Sequence, residues 1–179
     1  MFIIFAADLH ILSSRNILSK YADDTTLISP QTGDICITVE FSNLVTWSQC
    51  NKLTINLTKT KELVFRKPSV RSYFLPNCIT DVERVDEFRL LRVLVTCCFS
   101  MDKYVDFILS VVTQRFYLLS QLKNQGLNIN VLNILFHALI VSTIVYALPA
   151  FSGFLSEYSR SRINSVFILG KVINGVLLI

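Results

Sequence analysis

Asp23 and Asp24 are the residues of this chain whose types and spacing could most readily support chemistry. They stand side by side in the segment SKYADDTTLISP, with β-prone residues on both flanks. Aspartate is a common turn residue, so the pair could form an acidic turn exposed to water. Carboxylates held on a rigid hairpin could instead bind divalent cations. A two-metal site for phosphoryl transfer would also need a carboxylate from a neighbouring strand.

A group of basic residues follows the acidic pair in the sequence. Residues 52–71 contain one acid, Glu62, and six basic residues: Lys52, Lys59, Lys61, Arg66, Lys67 and Arg71. Such a stretch suits contact with nucleic-acid phosphates, because that contact depends on charge more than on sequence. An ordinary solvated loop could have the same composition, so both interpretations remain open at this point.

The composition indicates a folded intracellular protein. Of 179 residues, 52% are hydrophobic and 17% are charged, and the formal net charge of +4 is a mild hint of a polyanionic partner. The five cysteines are odd in number and lack CxxC spacing, which is typical of reduced thiols. The apolar N-terminal run is short and has no basic residue before it. We therefore expect no secretory signal and a location in the nucleus or cytoplasm.

The hydrophobic pattern predicts the elements that must position these residues. An apolar run predicts a buried strand at Phe2–Ala7, and two β-rich segments predict a tight hairpin over residues 16–29, which Pro30 ends. The segments ELVFRK and FRLLRVLV are also predicted as strands. A helix is predicted over about residues 34–50, with Asn51 at its end and the hairpin packed on it. The apolar face of this helix comprises Ile37, Phe41, Leu44, Val45 and Ser48.

Beyond Ser100 the pattern becomes helical. One stripe predicts a helix that ends at Gly126, a second helix should run from Asn130 to about Leu148, and a third should span Glu157–Leu169. The order of elements predicts an α+β half followed by an α-helical half, with the boundary near Cys97. The stripe of the first helix comprises Tyr104, Ile108, Val111, Leu119 and Leu122.

Several short motifs occur in the order and at about the spacing found in one enzyme family. After YADD come Trp47 with Asn51-Lys52-Leu53, and then the segment NLTKTK at residues 56–61. Together they resemble the reverse transcriptases of non-LTR, LINE-like retrotransposons. The likeness continues through VERVDEFRLLRVLV, which resembles the family's primer-grip hairpin. It extends through TQRFYLLSQLKNQGL and FHALIVSTIVYALPAFSGFL, which resemble its helical thumb and the segment after it.

The resemblance implies both an architecture and an activity. Residues 1–96 would be a partial polymerase palm, an antiparallel hairpin sheet with a helix, and residues 97–179 a helical thumb and post-thumb region. The implied activity is RNA-directed DNA synthesis, in which two Mg²⁺ ions promote attack of a primer 3′-hydroxyl on a dNTP. The implied partners are an RNA template, a DNA primer, a dNTP and a fuller copy of the element.

The resemblance also implies roles for individual residues. Asp23 would hold metal, and Asp24, nearer the primer end, would contribute less directly. Lys59 would be the proton donor to pyrophosphate. Tyr21 would contact the primer–template near the active site. Further nucleic-acid contacts would come from Lys52, Lys61, Arg66 and Lys67.

Two departures from the family pattern predict an incomplete enzyme. The family's first catalytic aspartate lies on an earlier strand, and Asp8 stands too close to Asp23 in the sequence to be that residue. We expect Asp8 to be a turn or cap residue, and the fingers and the first catalytic aspartate to be missing. Arg92 replaces the glycine of the family's primer grip, where glycine would permit a special backbone conformation. The Mg²⁺ site is therefore expected to be incomplete and the chain inactive alone.

Two other interpretations compete with the enzyme. Residues 131–151, VLNILFHALIVSTIVYALPAF, form a run long enough to span a bilayer, although polar residues interrupt it and no basic cluster marks a cytoplasmic flank. The resemblance places this run in a buried helix, so a membrane partner is not expected. The chain could also be a translated retroelement relic without function.

Overall fold

The computed structural model describes residues 6–67 and 75–174. They form a mixed α+β fold, with strands and one helix first and only helices after residue 101, and this confirms the fold class at that level. The palm and thumb assignment stays a prediction. The strand expected at Phe2–Ala7 lies outside the described residues except for Ala6 and Ala7, which belong to a turn.

The described residues group into two compact units. The hairpin unit contains the described part of Met1–Val64 and Val70–Val85, and the helical unit contains that of Phe65–Ser69 and Asp86–Ile179. The helical unit thus includes residues 86–96, which the resemblance to reverse transcriptases places in the palm. Two of them, Val93 and Leu94, pack against the helical core. The division into domains 1–96 and 97–179 stays a prediction about function.

A β-hairpin presents the acidic pair. β1 (Ile17–Tyr21) and β2 (Asp24–Ile28) pair antiparallel, and Tyr21 lies opposite Asp24 across a two-residue turn. The first turn residue, Ala22, has a φ of 51°, which suits the tight turns that join strands by two residues. The predicted hairpin is therefore confirmed.

The hairpin does not pack on a helix through a buried face. No residue of either strand is buried, so the expected packing on the helix of residues 34–50 is not a core contact. Lys20 fastens the hairpin to the preceding loop instead: its Nζ donates to the carbonyl oxygens of Ala6 and Leu9 at 2.6 and 2.7 Å.

The helix predicted over residues 34–50 is α1, Ile37–Cys50. Asn51 is its C-cap, as predicted, and Lys52 follows with a left-handed φ of 55°. The backbone N–H of Leu53 donates to Ser48 O at 2.8 Å. This is a Schellman motif, whose left-handed position glycine usually occupies. The Asn51-Lys52-Leu53 triplet therefore has a structural role as the end of a helix.

Two short strands pair in parallel within the hairpin unit. They are β3 (Lys61–Glu62) and β4 (Glu83–Arg84), so only the first residue of the predicted strand ELVFRK lies in a strand. Glu62 is buried and accepts two hydrogen bonds from the Arg84 guanidinium, each 2.9 Å long. Because a buried carboxylate is costly unless it is paired, this bidentate contact fixes β3 beside β4.

A second antiparallel hairpin follows in the helical unit. It comprises β5 (Glu87–Leu90) and β6 (Val93–Thr96), so a turn divides the segment FRLLRVLV, which was predicted as a strand, between two strands. A hairpin is what the resemblance implies for this segment, and its identity as a primer grip stays a prediction. The turn residues Leu91 and Arg92 have φ values of 46° and 72°, and a type I′ turn requires a positive φ at both positions. Arg92 thus holds a conformation that suits glycine.

Replacing Arg92 with glycine should raise the free energy of unfolding by about 0.5–1 kcal/mol. Glycine relieves the left-handed strain, and the gain exceeds the loss of an exposed cation–π contact, since the Arg92 guanidinium lies 5.9 Å from the Tyr146 ring centroid. Urea denaturation followed by circular dichroism measures the change. Gly126→Ala is the reverse control and should be destabilising, because Gly126 has a φ of 85°. A less stable Arg92→Gly variant would contradict the conformational argument.

The long helix α2 (Asp102–Asn124) forms one wall of the helical core. It ends as predicted at Gly126, where the N–H of Leu127 donates to Leu122 O at 3.1 Å in a second Schellman motif. Its buried face agrees with the predicted stripe except at Val111 and Leu122, which are half-buried. The buried residues are Tyr104, Val105, Ile108, Val112 and Leu119.

The second predicted helix is interrupted by a π-helical turn. It consists of α3 (Ile129–Phe136), the π-helical residues His137–Val141, and α4 (Ser142–Val145). Arg115 of α2 donates from Nη1 to the carbonyl oxygen of Leu139, inside this turn, and to the hydroxyl of Thr143. Helices bend both at π-bulges and where a side chain inserts into the ladder of helix hydrogen bonds, and both features are found here.

The chain then turns before its last helix. Ala147, with a φ of 54°, separates α4 from the short α5 (Leu148–Phe151), and a 3₁₀ turn follows at Ser152–Phe154. The third predicted helix is α6 (Glu157–Asn174), which begins where expected and continues beyond Leu169.

Hydroxyl groups join the start of α6 to the start of α2. Ser159 and Ser156 donate to Asp102 Oδ1 at 2.6 and 2.9 Å, and Ser100 donates to its Oδ2 at 2.9 Å. These hydrogen bonds hold the pKa of Asp102 below its usual value. The carboxylate thus ties the two helices together within the helical unit.

Candidate metal and nucleic-acid site

The acidic pair lies at the tip of the β1–β2 hairpin. Asp23 is the second turn residue and Asp24 begins β2 opposite Tyr21, and all three residues are exposed. Over residues 6–67 and 75–174, neither aspartate carboxylate has a hydrogen-bond or ion-pair partner. The tip therefore offers two adjacent carboxylates and one aromatic ring to an external ligand.

These two carboxylates do not by themselves fit a centre for two Mg²⁺ ions. In the part of the chain that the structure describes, no three His, Cys, Asp or Glu side chains come together as a potential metal site. The remaining segments, residues 1–5, 68–74 and 175–179, contain none of these residue types. Because Mg²⁺ demands a nearly complete octahedral set of ligands, the centre would need carboxylates from elsewhere.

Asp8 has a partner of its own. It lies in an exposed turn, in which the N–H of Leu9 donates to Ala6 O at 3.3 Å, and its Oδ1 accepts a hydrogen bond from Trp47 Nε1 at 3.2 Å. The expectation that Asp8 is a turn residue is confirmed. Its contact with Trp47 fastens the turn to α1.

Lys59 lies in a compact turn stabilised by Asn56. Asn56 Oδ1 accepts hydrogen bonds from the Thr58 hydroxyl at 2.7 Å and from the backbone N–H of Lys59 at 3.2 Å, and Asn56 O accepts one from the backbone N–H of Thr60 at 3.0 Å. The NLTKT segment thus folds on itself and presents the Lys59 side chain at the surface. No hydrogen bond joins Lys59 to Asp23 among the described residues, so its role as proton donor stays a prediction.

Two of the predicted nucleic-acid contacts also have structural roles. Lys52 occupies the left-handed position after α1, where its charge lies near the negative end of the helix dipole. Lys61 forms an ion pair with Glu83 across the β3–β4 pair. A phosphate group would therefore compete with Glu83 for the Lys61 ammonium.

Arg66 and Lys67 belong to the helical unit, whereas the other predicted site residues belong to the hairpin unit. The backbone N–H of Arg66 donates to Cys97 O at 2.8 Å, which places this segment beside the end of β6. The Arg66 guanidinium lies 3.5 Å from a carboxylate oxygen of Asp86, a long and exposed ion pair. Lys67 is exposed. The hairpin unit holds Tyr21, Asp23, Asp24, Lys52, Lys59 and Lys61.

Glu40 is a buried acid that the sequence interpretation missed. It is 0% exposed. Its carboxylate accepts hydrogen bonds from the backbone N–H groups of Leu12 at 3.0 Å and Ser13 at 2.8 Å, and from Asn16 Nδ2 at 2.8 Å. Burial opposes its ionisation, but these hydrogen bonds outweigh burial and lower its pKa from 4.5. The sequence feature that could have predicted its burial is its position four residues before Leu44, a buried residue of the same helix.

Comparisons with known proteins place no further constraint on the site. No protein-family model, curated protein or solved structure matches the chain. The similarity to reverse transcriptases therefore rests on the motifs quoted above.

Proposed function

We propose that this chain is a palm-to-thumb fragment of an RNA-directed DNA polymerase of the LINE-like reverse transcriptases. The observation that supports this best is the hairpin of residues 17–28, which exposes the YADD aspartates at its tip. In the proposed reaction, a primer 3′-hydroxyl attacks the α-phosphate of a dNTP and pyrophosphate leaves. Asp23 and Asp24 face the reacting groups, Lys59 donates the proton to pyrophosphate, and Tyr21 contacts the primer–template.

The chain acts, under this proposal, only with a partner that completes the site. Two Mg²⁺ ions supply the electrophilic chemistry when bound, and the partner, a fuller copy of the element, supplies the first catalytic aspartate and the fingers. The RNA template and DNA primer are held by basic residues through their phosphates. These residues are Lys52, Lys61, Arg66 and Lys67. The proposed location is the nucleus or cytoplasm.

The isolated chain should give no detectable primer extension on poly(A)–oligo(dT) with Mg²⁺ or Mn²⁺, and Asp23→Asn should change nothing. The reason is that, among the residues that the structure describes, no third carboxylate accompanies the pair. A chimera in which this chain replaces the matching segment of an active family member should extend the primer, and Asp23→Asn should abolish that extension.

Asp81→Asn is the matched control for the chimera, because Asp81 is an exposed aspartate of the same unit and asparagine tolerates its left-handed φ of 61°. It should leave extension unchanged. A chimera that extends the primer equally well with Asp23→Asn would contradict the catalytic role of the hairpin. Robust extension by the isolated chain, lost in Asp23→Asn, would contradict the missing carboxylate. If the chain is instead a relic without function, the chimera should fold but should not extend the primer.

A second candidate function is membrane association through the apolar run. Residues Ile129–Phe154 are long and apolar enough to cross a bilayer, with a mean hydropathy of 2.1, and only 22% of the apolar segment is buried. Against insertion, the Arg115 guanidinium binds Leu139 O within this run, so a bilayer would have to accommodate or break a charged contact. Release of the expressed chain from membranes by alkaline carbonate favours the polymerase fragment, and resistance to it favours membrane association.

A further inference from the structure

Three phenylalanine rings form an exposed stack on the helical unit. The ring centroids of Phe65 and Phe99 lie 4.2 Å apart at an interplanar angle of 17°, and those of Phe99 and Phe154 lie 5.3 Å apart at 24°. The residues remain 44%, 40% and 53% exposed, respectively. We call this group the aromatic stack. Phenylalanine normally buries most of its surface, so three exposed, nearly parallel rings form an apolar stack whose outer face can accept a further ring.

Backbone hydrogen bonds hold the stack in place. Phe99 has a left-handed φ of 55°, which bulky residues rarely adopt. Its N–H donates to Thr96 O at 3.0 Å, and this tight turn after β6 directs its ring outward. The bond from the N–H of Arg66 to Cys97 O, 2.8 Å long, places Phe65 beside that ring. Uncommon conformations of this kind concentrate at functional sites.

The charge next to the stack favours a polyanion. Arg66 and Lys67 follow Phe65 directly, and Lys67 is exposed, whereas Asp86 is the acid within reach of Arg66 at 3.5 Å. Proteins that bind single-stranded nucleic acid combine aromatic side chains, on which bases stack, with basic residues that follow the phosphates. A duplex would gain little from such a surface because its bases already stack on one another.

We propose that the aromatic stack binds unpaired bases of a single-stranded nucleic acid, with Lys67 at the phosphate backbone. The class of partner rests on the proposed function, but this site requires neither Mg²⁺ nor a dNTP. The outer face of the stack receives a base by face-to-face contact. Binding at the stack is independent of sequence, because every base has a π-face.

Fluorescence anisotropy with two labelled strands of about twelve nucleotides tests this inference, since single-strand sites of related design span roughly that length. One strand is oligo(dT), and the other is an abasic strand with the same phosphates. The full chain should bind oligo(dT) roughly tenfold more tightly than the abasic strand at low salt. Phe65→Leu should remove most of this difference without weakening binding of the abasic strand.

Phe107→Leu is the matched control, because Phe107 is a 41% exposed phenylalanine of α2 outside the stack. It should leave both affinities unchanged, and circular dichroism checks that each variant is folded. Equal affinity for the two strands, absence of binding, or an unchanged preference in Phe65→Leu would overturn the inference. The binding assay contains no metal, primer or dNTP. Its result therefore does not depend on whether the chimera extends a primer, and the two proposals can fail separately.

Discussion

Replacing Glu40 with alanine should lower the free energy of unfolding by about 3–5 kcal/mol. The substitution leaves two backbone N–H groups and one side-chain amide of the Leu12–Asn16 loop without their acceptor. Each buried donor that loses its partner costs about 1–3 kcal/mol. That loss is large against the total stability of a typical domain, so the hairpin unit should unfold in much less urea. Trp47, the only tryptophan of the chain, lies on α1 about two helical turns after Glu40 and reports this transition by fluorescence.

Glu83→Ala is the control within the same unit. The Glu83 side chain is 66% exposed, and its ion pair with Lys61 lies at the surface. Exposed pairs contribute at most about 1 kcal/mol, so this variant should remain close to the parent chain. Equal stabilities of Glu40→Ala and Glu83→Ala would contradict the structural role of Glu40.

The contribution of Glu40 should also depend on pH. Its pKa is lowered from 4.5 in the folded chain, so its contribution is fully present above the unfolded-state pKa. It is lost as the pH falls through the folded-state pKa, because the protonated carboxyl no longer accepts all these hydrogen bonds. Glu40→Gln cannot titrate, so the stability difference between the parent chain and this variant should shrink below about pH 4.5. Subtraction of the two pH profiles removes the contribution of Asp102, whose pKa is also lowered. Asp34 interacts electrostatically with Glu40, so the difference between the profiles reports the two carboxylates together.

Local sequence rules were sufficient for several elements of the fold. The ends of α1 at Asn51 and of α2 at Gly126 could be predicted, because capping depends on a few neighbouring residues. The turn at Leu91 and Arg92 could not be predicted from propensity, since a type I′ turn calls for Asn or Gly and the sequence has neither there. Pairing of the adjacent strands β5 and β6 overrides the turn preference of the residues at both positions.

The candidate site was predictable only where it depends on local pairing. The exposed position of Asp23 at the hairpin tip could be predicted, because the two strands of the hairpin are adjacent in the sequence. The partners of Asp8 and Lys61, by contrast, are 39 and 22 residues away along the chain. Hydrophobic periodicity carries no information about such polar contacts, which form only once distant segments have packed. Glu40 was missed for the same reason, because its donors lie in a loop that precedes the hairpin.

Gly170→Ala should destabilise the helical unit by about 1–3 kcal/mol, although alanine is the better helix former. Gly170 is buried in α6, four residues after the buried Val166. A Cβ added at Gly170 would overlap Phe136 Cζ and would lie 2.5 Å from Phe136 Cε2. Phe136 cannot readily yield, because it is 4% exposed and packs against Phe116 with ring centroids 6.0 Å apart. Overpacking therefore outweighs the gain of about 1 kcal/mol that alanine brings inside a helix.

Gly153→Ala separates this packing cost from a general effect of replacing glycine. A Cβ at Gly153 would meet no atom within 4 Å, so that variant should be neutral or slightly more stable. Phe136→Leu provides the second control, because a smaller side chain opens the space that the Gly170 methyl group needs. Urea denaturation followed by circular dichroism should show that Gly170→Ala costs less in the Phe136→Leu background than in the parent chain, a favourable coupling in the double-mutant cycle. If Gly170→Ala lowered the free energy of unfolding equally in the two backgrounds, the added methyl group would not contact Phe136. The close packing of α3 and α6 described here would then be wrong.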